Sequence, residues 1–188
     1  MTSKQLPPAP PLSFSHFGIF ARDPHALAAF YVEQLGFTIT DTGALPSGDL
    51  VFLSRDPTEH HQIVLCSGRP AEGFNTVNQI SLRTNKLQTL RVLQQRLAST
   101  AGVTEILPVT HGNAISLYFR DPEGNRVEVF IDTQFYCQQP QRVAVDLSQS
   151  DAKIWRMVEE HARSQPNFKS RADWMAGVRK MMESRASL

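Results

Sequence analysis

At 188 residues, with 19 Lys and Arg against 18 Asp and Glu, the chain carries a formal charge of +1. That balance leaves no basic field to drive nucleic-acid binding and no charged face for an anionic membrane. The opening stretch, Met1 to Pro11, is polar and Pro-rich without an apolar h-region, and no apolar run approaches the ~20 residues of a membrane span. Cys66 and Cys137 lie far apart in no metal-binding spacing and read as reduced thiols, which places the protein in the cytoplasm.

After a flexible lead-in over 1–13, the segment Ser15–Phe20 predicts a strand that runs straight into Arg22-Asp23-Pro24. Asp23 suits a helix N-cap and Pro24 the first helical position, where no intrahelical N–H bond is lost. Leu27, Phe30, Tyr31 and Leu35 recur at helical spacing, and Gly36 stops the helix. Phe37–Thr40, Leu50–Ser54 and Gln62–Cys66 follow as short strands. The same order then returns. Val77–Leu82 predicts a strand, Asn85 a cap, and Leu87, Leu90, Leu93 and Leu97 one face of a helix ending near Gly102. Val103–Leu107, Ile115–Phe119 and Arg126–Ile131 predict three further strands, the last two joined by the turn Asp121-Pro122-Glu123-Gly124-Asn125.

The expected fold is therefore α+β: two tandem βαβββ modules, 14–68 and 74–133, forming a cup-shaped sheet within a domain over 14–138. A C-terminal helical extension over 145–186 follows, with starts at Ser148-x-x-Asp151 and Ser170-x-x-Asp173. Its two helices predict a hairpin whose apolar stripes, Ile154, Trp155 and Val158 on one and Trp174, Val178, Met181 and Met182 on the other, pack on the domain or on a second subunit.

Strand alternation says which side chains share the face away from the helices. With Phe17, Ile19, Ile63, Leu65, Ile80, Leu82, Val127 and Val129 packed inward, His16, Gln62, Gln79 and Glu128 face the cup. A carboxylate set between two packed valines is costly unless paired or bound to metal. An imidazole, a carboxylate and two amide oxygens on one floor suit a divalent ion with open positions for a substrate.

Two runs carry a resemblance. His16-Phe17-Gly18-Ile19-Phe20, leading to Tyr31 and Leu35-Gly36-Phe37, resembles the first half of a vicinal-oxygen-chelate module, the superfamily of glyoxalases, bleomycin-resistance proteins and extradiol dioxygenases. Tyr118-Phe119-Arg120-Asp121-Pro122-Glu123-Gly124-Asn125-Arg126-Val127-Glu128 is similar to the closing hairpin of one-domain extradiol dioxygenases of the biphenyl-2,3-diol type. The resemblance implies a metal-dependent extradiol dioxygenase acting on a catechol-type aromatic, with Fe(II) as the metal and Mn, Ni or Zn as alternatives. His16 and Glu128 match the family's ligand positions, while Gln79 stands where the second His is expected, and Gln62 is a fourth candidate. Tyr118 matches a hydrogen-bond donor of the family and His111 its upstream acid–base His, with His60 as a second candidate base. The Gln79 departure keeps two alternatives open: a glyoxalase-like lyase or isomerase, and a metal-free protein that binds a small aromatic or chelating compound. By analogy with the family, a homodimer is expected.

Overall fold

The computed structural model describes residues 12–73 and 75–186, so all but the last two residues of the expected lead-in lie outside the described chain. The first module runs β1 (Phe17–Ala21), α1 (Pro24–Leu35), β2 (Thr38–Leu45), β3 (Gly48–Ser54) and β4 (Ile63–Ser67). The second repeats it with β5 (Ile80–Thr84), α2 (Leu87–Ala98), β6 (Thr104–Thr110), β7 (Ala114–Arg120) and β8 (Arg126–Asp132). In each, the first strand lies parallel to the fourth and the remaining neighbours are antiparallel, giving orders β1-β4-β3-β2 and β5-β8-β7-β6. Strands β2 and β6 run several residues beyond the segments expected from sequence, because each continues pairing along its hairpin partner.

The helix ends follow local chemistry. The Asp23 carboxylate accepts from the Ala26 N–H at 2.9 Å, and Gly36 closes α1 at φ 69°, a left-handed conformation that costs a glycine little. Helix α2 begins one residue later than expected, behind Lys86, whose side chain provides no cap. Its fixing force is burial: Leu87, Leu90, Leu93 and Leu97 all lie in the core, each contributing about 1.5–3 kcal/mol.

The two βαβββ modules are present as expected, each with its own hydrogen-bonded sheet. β1 and β5 are edge strands of their sheets, with no ladder between them. Side chains join the halves instead. The Glu123 carboxylate, in the β7–β8 turn, accepts from the N–H groups of Arg22 at 2.8 Å and Asp23 at 2.9 Å and pairs with Arg69 at 3.4 Å. The Tyr31 hydroxyl donates to Asp121 at 3.2 Å, and Arg96 reaches the Glu33 carbonyl at 2.7 Å.

Past β8 come β9 (Phe135–Tyr136), β10 (Val143–Ala144), α3 (Asp151–Ser164), β11 (Lys169–Ser170) and α4 (Arg171–Ala186). β10 adds to the β6 edge of the second sheet. Helix α3 buries Ile154, Val158 and Ala162, and Arg91 ties its lead-in down through the carbonyls of Leu147 at 2.7 Å and Gln149 at 2.8 Å. Helix α4 departs from expectation. Trp174 stacks on Tyr136 at 5.4 Å, but Met181 and Met182 are exposed, so the stripe is not packed along its length. Among the described residues no helix is long and apolar enough to cross a membrane.

Candidate functional site

Strand register assembles the site. Ser81 on β5, Glu128 on β8 and Tyr118 on β7 are direct neighbours across the second sheet, on the face away from α2. The Glu128 carboxylate is 6% exposed and filled by neutral donors. Its Oε2 accepts from Ser81 Oγ at 2.6 Å and Gln79 Nε2 at 2.9 Å, and its Oε1 accepts from Ser116 Oγ at 2.7 Å. These bonds offset the cost of burying the charge.

His111 is delivered by the β6–β7 hairpin. Gly112 turns the chain there at φ 77°, and its carbonyl accepts from the buried Thr133 hydroxyl at 2.8 Å. The imidazole is held at both nitrogens: Nδ1 faces the Gln141 carbonyl, and Nε2 lies 3.0 Å from the Tyr118 hydroxyl and 4.0 Å from Glu128 Oε1. A carbonyl can only accept, so Nδ1 carries the hydrogen, and in the neutral ring Nε2 accepts from Tyr118. When Nε2 takes a proton it becomes the donor, and Tyr118 turns its O–H to Glu128. Burial first, and then Glu128, push the Tyr118 hydroxyl well above the ordinary phenol value, so it stays protonated. Replacing Gly112 by Ala would set a Cβ 2.5 Å from Cys137 Sγ in a backbone conformation unfavourable to Ala. We expect Gly112→Ala to lower stability by about 2 kcal/mol, read as a lower urea midpoint; an unchanged midpoint would show that the hairpin re-forms without this turn.

The structure brings together four of the sequence candidates, Gln79, His111, Tyr118 and Glu128, and sets the other two apart. His16 belongs to a histidine cluster on the first sheet: its ring lies 4.1 Å from that of His61, and His61 Nδ1 is 2.9 Å from His60 Nδ1. Burial, and then the neighbouring His16 and His60, push the His61 imidazole below its ordinary value. Gln62 accepts from the Arg55 N–H at 2.9 Å, at the end of the β3–β4 connection. Strand alternation assigned the faces, but the open β1–β5 junction decided which faces meet.

Whether these residues suit a divalent metal turns on Glu128 and Gln79. Gln79 directs its amide nitrogen at the carboxylate, where its oxygen would meet Oε2 with no proton between them, so a donor stands where a ligand oxygen was expected. Both carboxylate oxygens are engaged, and among the described residues no three His, Cys, Asp or Glu side chains are arranged to hold a metal ion. Within one chain the donor set does not fit a metal.

Four contributors escaped sequence reading. Ser81 and Ser116 each lie two residues from a named candidate on the same strand face, a signal that alternation carried. Gln141 and Arg142 come from the segment after β9, and nothing in their sequence context points to the site. Gln79, Leu107, His111, Tyr118, Arg126 and Arg142 line a cavity of about 270 Å³.

Residues 13–129 match the Glyoxalase/Bleomycin resistance protein/Dioxygenase superfamily. Biphenyl-2,3-diol 1,2-dioxygenase 3 of Rhodococcus globerulus is 31% identical over 124 residues, 63% of this chain and 62% of that protein, so the chain spans less than two thirds of that relative's length. A glyoxylase/bleomycin resistance protein/dioxygenase domain from Frankia sp. EAN1pec superposes with a TM-score of 0.57 at 22% identity, covering 66% of this chain and 100% of that one. The fosfomycin resistance protein FosX of Listeria monocytogenes, solved with Mn(II) and sulfate, superposes with a TM-score of 0.51 at 15% identity, covering 64% and 93%. At such identities the structural likeness speaks to the fold.

Proposed function

Since the chain belongs to the glyoxalase/bleomycin resistance protein/dioxygenase superfamily, we propose that it binds a small hydroxylated aromatic of the catechol class and handles its hydroxyl proton without a metal held by one chain. The observation that carries this reading is the Tyr118 hydroxyl set between His111 Nε2 at 3.0 Å and the Glu128 carboxylate. A ligand hydroxyl entering beside Tyr118 finds Nε2 free to accept once Tyr118 turns its own O–H to Glu128, the ring being already fixed through Nδ1 on Gln141. When the ligand proton passes to Nε2, the imidazolium lies near a carboxylate that stabilises it. Leu107 supplies apolar wall for a ring.

Ring cleavage of the extradiol kind is the second reading, favoured by the 31% identity to the biphenyl-diol enzyme. It needs His16 brought to Glu128, which a second copy of the chain could do. Calorimetric titration with catechol in EDTA under argon, paired with oxygen uptake after Fe(II) addition, separates the two. Binding that persists in EDTA, with no uptake, is the expected result. Oxygen uptake by a sedimenting dimer, lost in both His16→Ala and Glu128→Ala, would replace it with the dioxygenase reading.

A further inference from the structure

The cavity beside Tyr118 holds two guanidiniums that the described residues leave without an ion-pair partner. Arg126 opens β8 and projects on the same face as Glu128, two residues on. Arg142 arrives from the other side, next to Gln141, whose carbonyl fixes His111. Among the described residues neither guanidinium makes a hydrogen bond or an ion pair. Other arginines of these modules are answered: Arg120 by Glu105 at 3.0 Å, Arg83 by Asp132 at 3.0 Å, Arg69 by Glu123 and Asn125, and Arg91 by Asp151. Glu105, the carboxylate on the cavity wall, is thereby taken by Arg120, and Glu128 beside the cavity is bonded by Ser81, Ser116 and Gln79. Neutral donors leave the charge of Glu128 in place, so with Arg120 and Glu105 cancelling each other the two guanidiniums leave an excess of one positive charge at this side of the cavity, with the Tyr118–His111 pair at the other. Both guanidiniums line the same cavity as Tyr118, and both counter part of the rise that burial causes in its hydroxyl.

We propose that the natural ligand is a hydroxylated aromatic acid, whose carboxylate seats between Arg126 and Arg142 while an adjacent ring hydroxyl meets Tyr118 and His111. The planar guanidinium matches a carboxylate in two-point geometry. The cavity, at about 270 Å³, lies just under the ~300–1,000 Å³ of sites for drug-sized ligands, which favours a single ring over a biaryl. This inference rests on the reading that Tyr118 and His111 receive a ligand hydroxyl, and it adds the charge that a neutral diol lacks.

The test compares 2,3-dihydroxybenzoate with catechol, titrated calorimetrically in EDTA at low and at physiological salt. We expect the acid to bind at least tenfold tighter than catechol, with an advantage that shrinks as salt rises. In Arg142→Gln, and further in Arg126→Gln/Arg142→Gln, the two ligands should approach equal affinity; Arg142 lies on an exposed segment, so its single variant tests the idea even if the double variant folds poorly. Tyr118→Phe should weaken both ligands. Equal affinities in the unaltered protein, with Tyr118→Phe still weakening both, would overturn the carboxylate assignment and leave the hydroxyl site standing. Binding of neither ligand would overturn both.

Discussion

Asp121→Ala is expected to lower folding stability by about 3 kcal/mol or more, because it strips the common acceptor from several buried neutral donors. Asp121 is 1% exposed and is a hub: its Oδ1 accepts from the N–H groups of Glu123 at 3.0 Å and Asn125 at 2.8 Å, and its Oδ2 accepts from Asn125 Nδ2 at 2.8 Å and the Tyr31 hydroxyl. Truncation leaves the fully buried Tyr31 hydroxyl without its partner and loosens the turn that presents Glu123 to the start of α1. It therefore acts on the seam between the modules as well as on one hairpin. Tyr31→Phe removes a single hydrogen bond and should cost about 1 kcal/mol. The pH dependence has a definite sign. Burial pushes the Asp121 carboxyl above its ordinary value, so the folded state holds the proton more tightly than the unfolded chain. The stability gained that way is complete below the ordinary carboxylate range and is lost as pH rises through the folded value. The difference in urea midpoint between the unaltered protein and Asp121→Ala should thus be widest in acid and narrow on raising the pH. A gap that widens with pH would reverse this account, and a loss under 1 kcal/mol would show that the hub is not what joins the halves.

Glu128→Ala is expected to cost about 3 kcal/mol, because the Ser81 and Ser116 hydroxyls and the Gln79 amide lose their common acceptor inside the sheet. Its effect on ligands should be larger in proportion. Without the carboxylate Tyr118 has only His111 to donate to, so the protonated imidazole loses both its neighbouring charge and the hydroxyl that should turn away from it. Hydroxyl-dependent affinity should fall tenfold or more, measured by the same catechol titration. Glu128→Gln preserves the volume and should recover most of the stability but not the affinity, which separates packing from charge. If Glu128→Ala were as stable as the unaltered protein, the hydrogen bonds would do no more than cancel the cost of burying the carboxylate, and the role of Glu128 would lie in ligand handling alone.

The amino-acid sequence by itself determined the parts of this protein that depend on near neighbours along the chain. Asp23, Pro24 and Gly36 mark the ends of α1 because capping is a local event, and the leucines of α2 announce their buried face by period. Alternation placed Gln79 and Glu128 on one face of the second sheet, since a strand sends successive side chains to opposite sides whatever its partners are. The Asp-Pro-Glu-Gly-Asn turn was equally legible, because its chemistry is contained in five residues.

What only the tertiary structure decided was contact between remote segments. Alternation could say that His16 and Gln62 face away from the helices, but not that β1 and β5 lack a ladder, so it could not say which floor those side chains reach. The polarity of Gln79 looked like a ligand oxygen until its distance to Glu128 made its nitrogen the group in contact. Gln141 and Arg142 were invisible because their segment has no period of its own and takes its place only by pairing with β6 and by the packing of α3. On α4 the spacing of Trp174, Val178, Met181 and Met182 described an apolar stripe truthfully, yet burial is a property of what lies opposite, and among the described residues nothing covers Met181 and Met182.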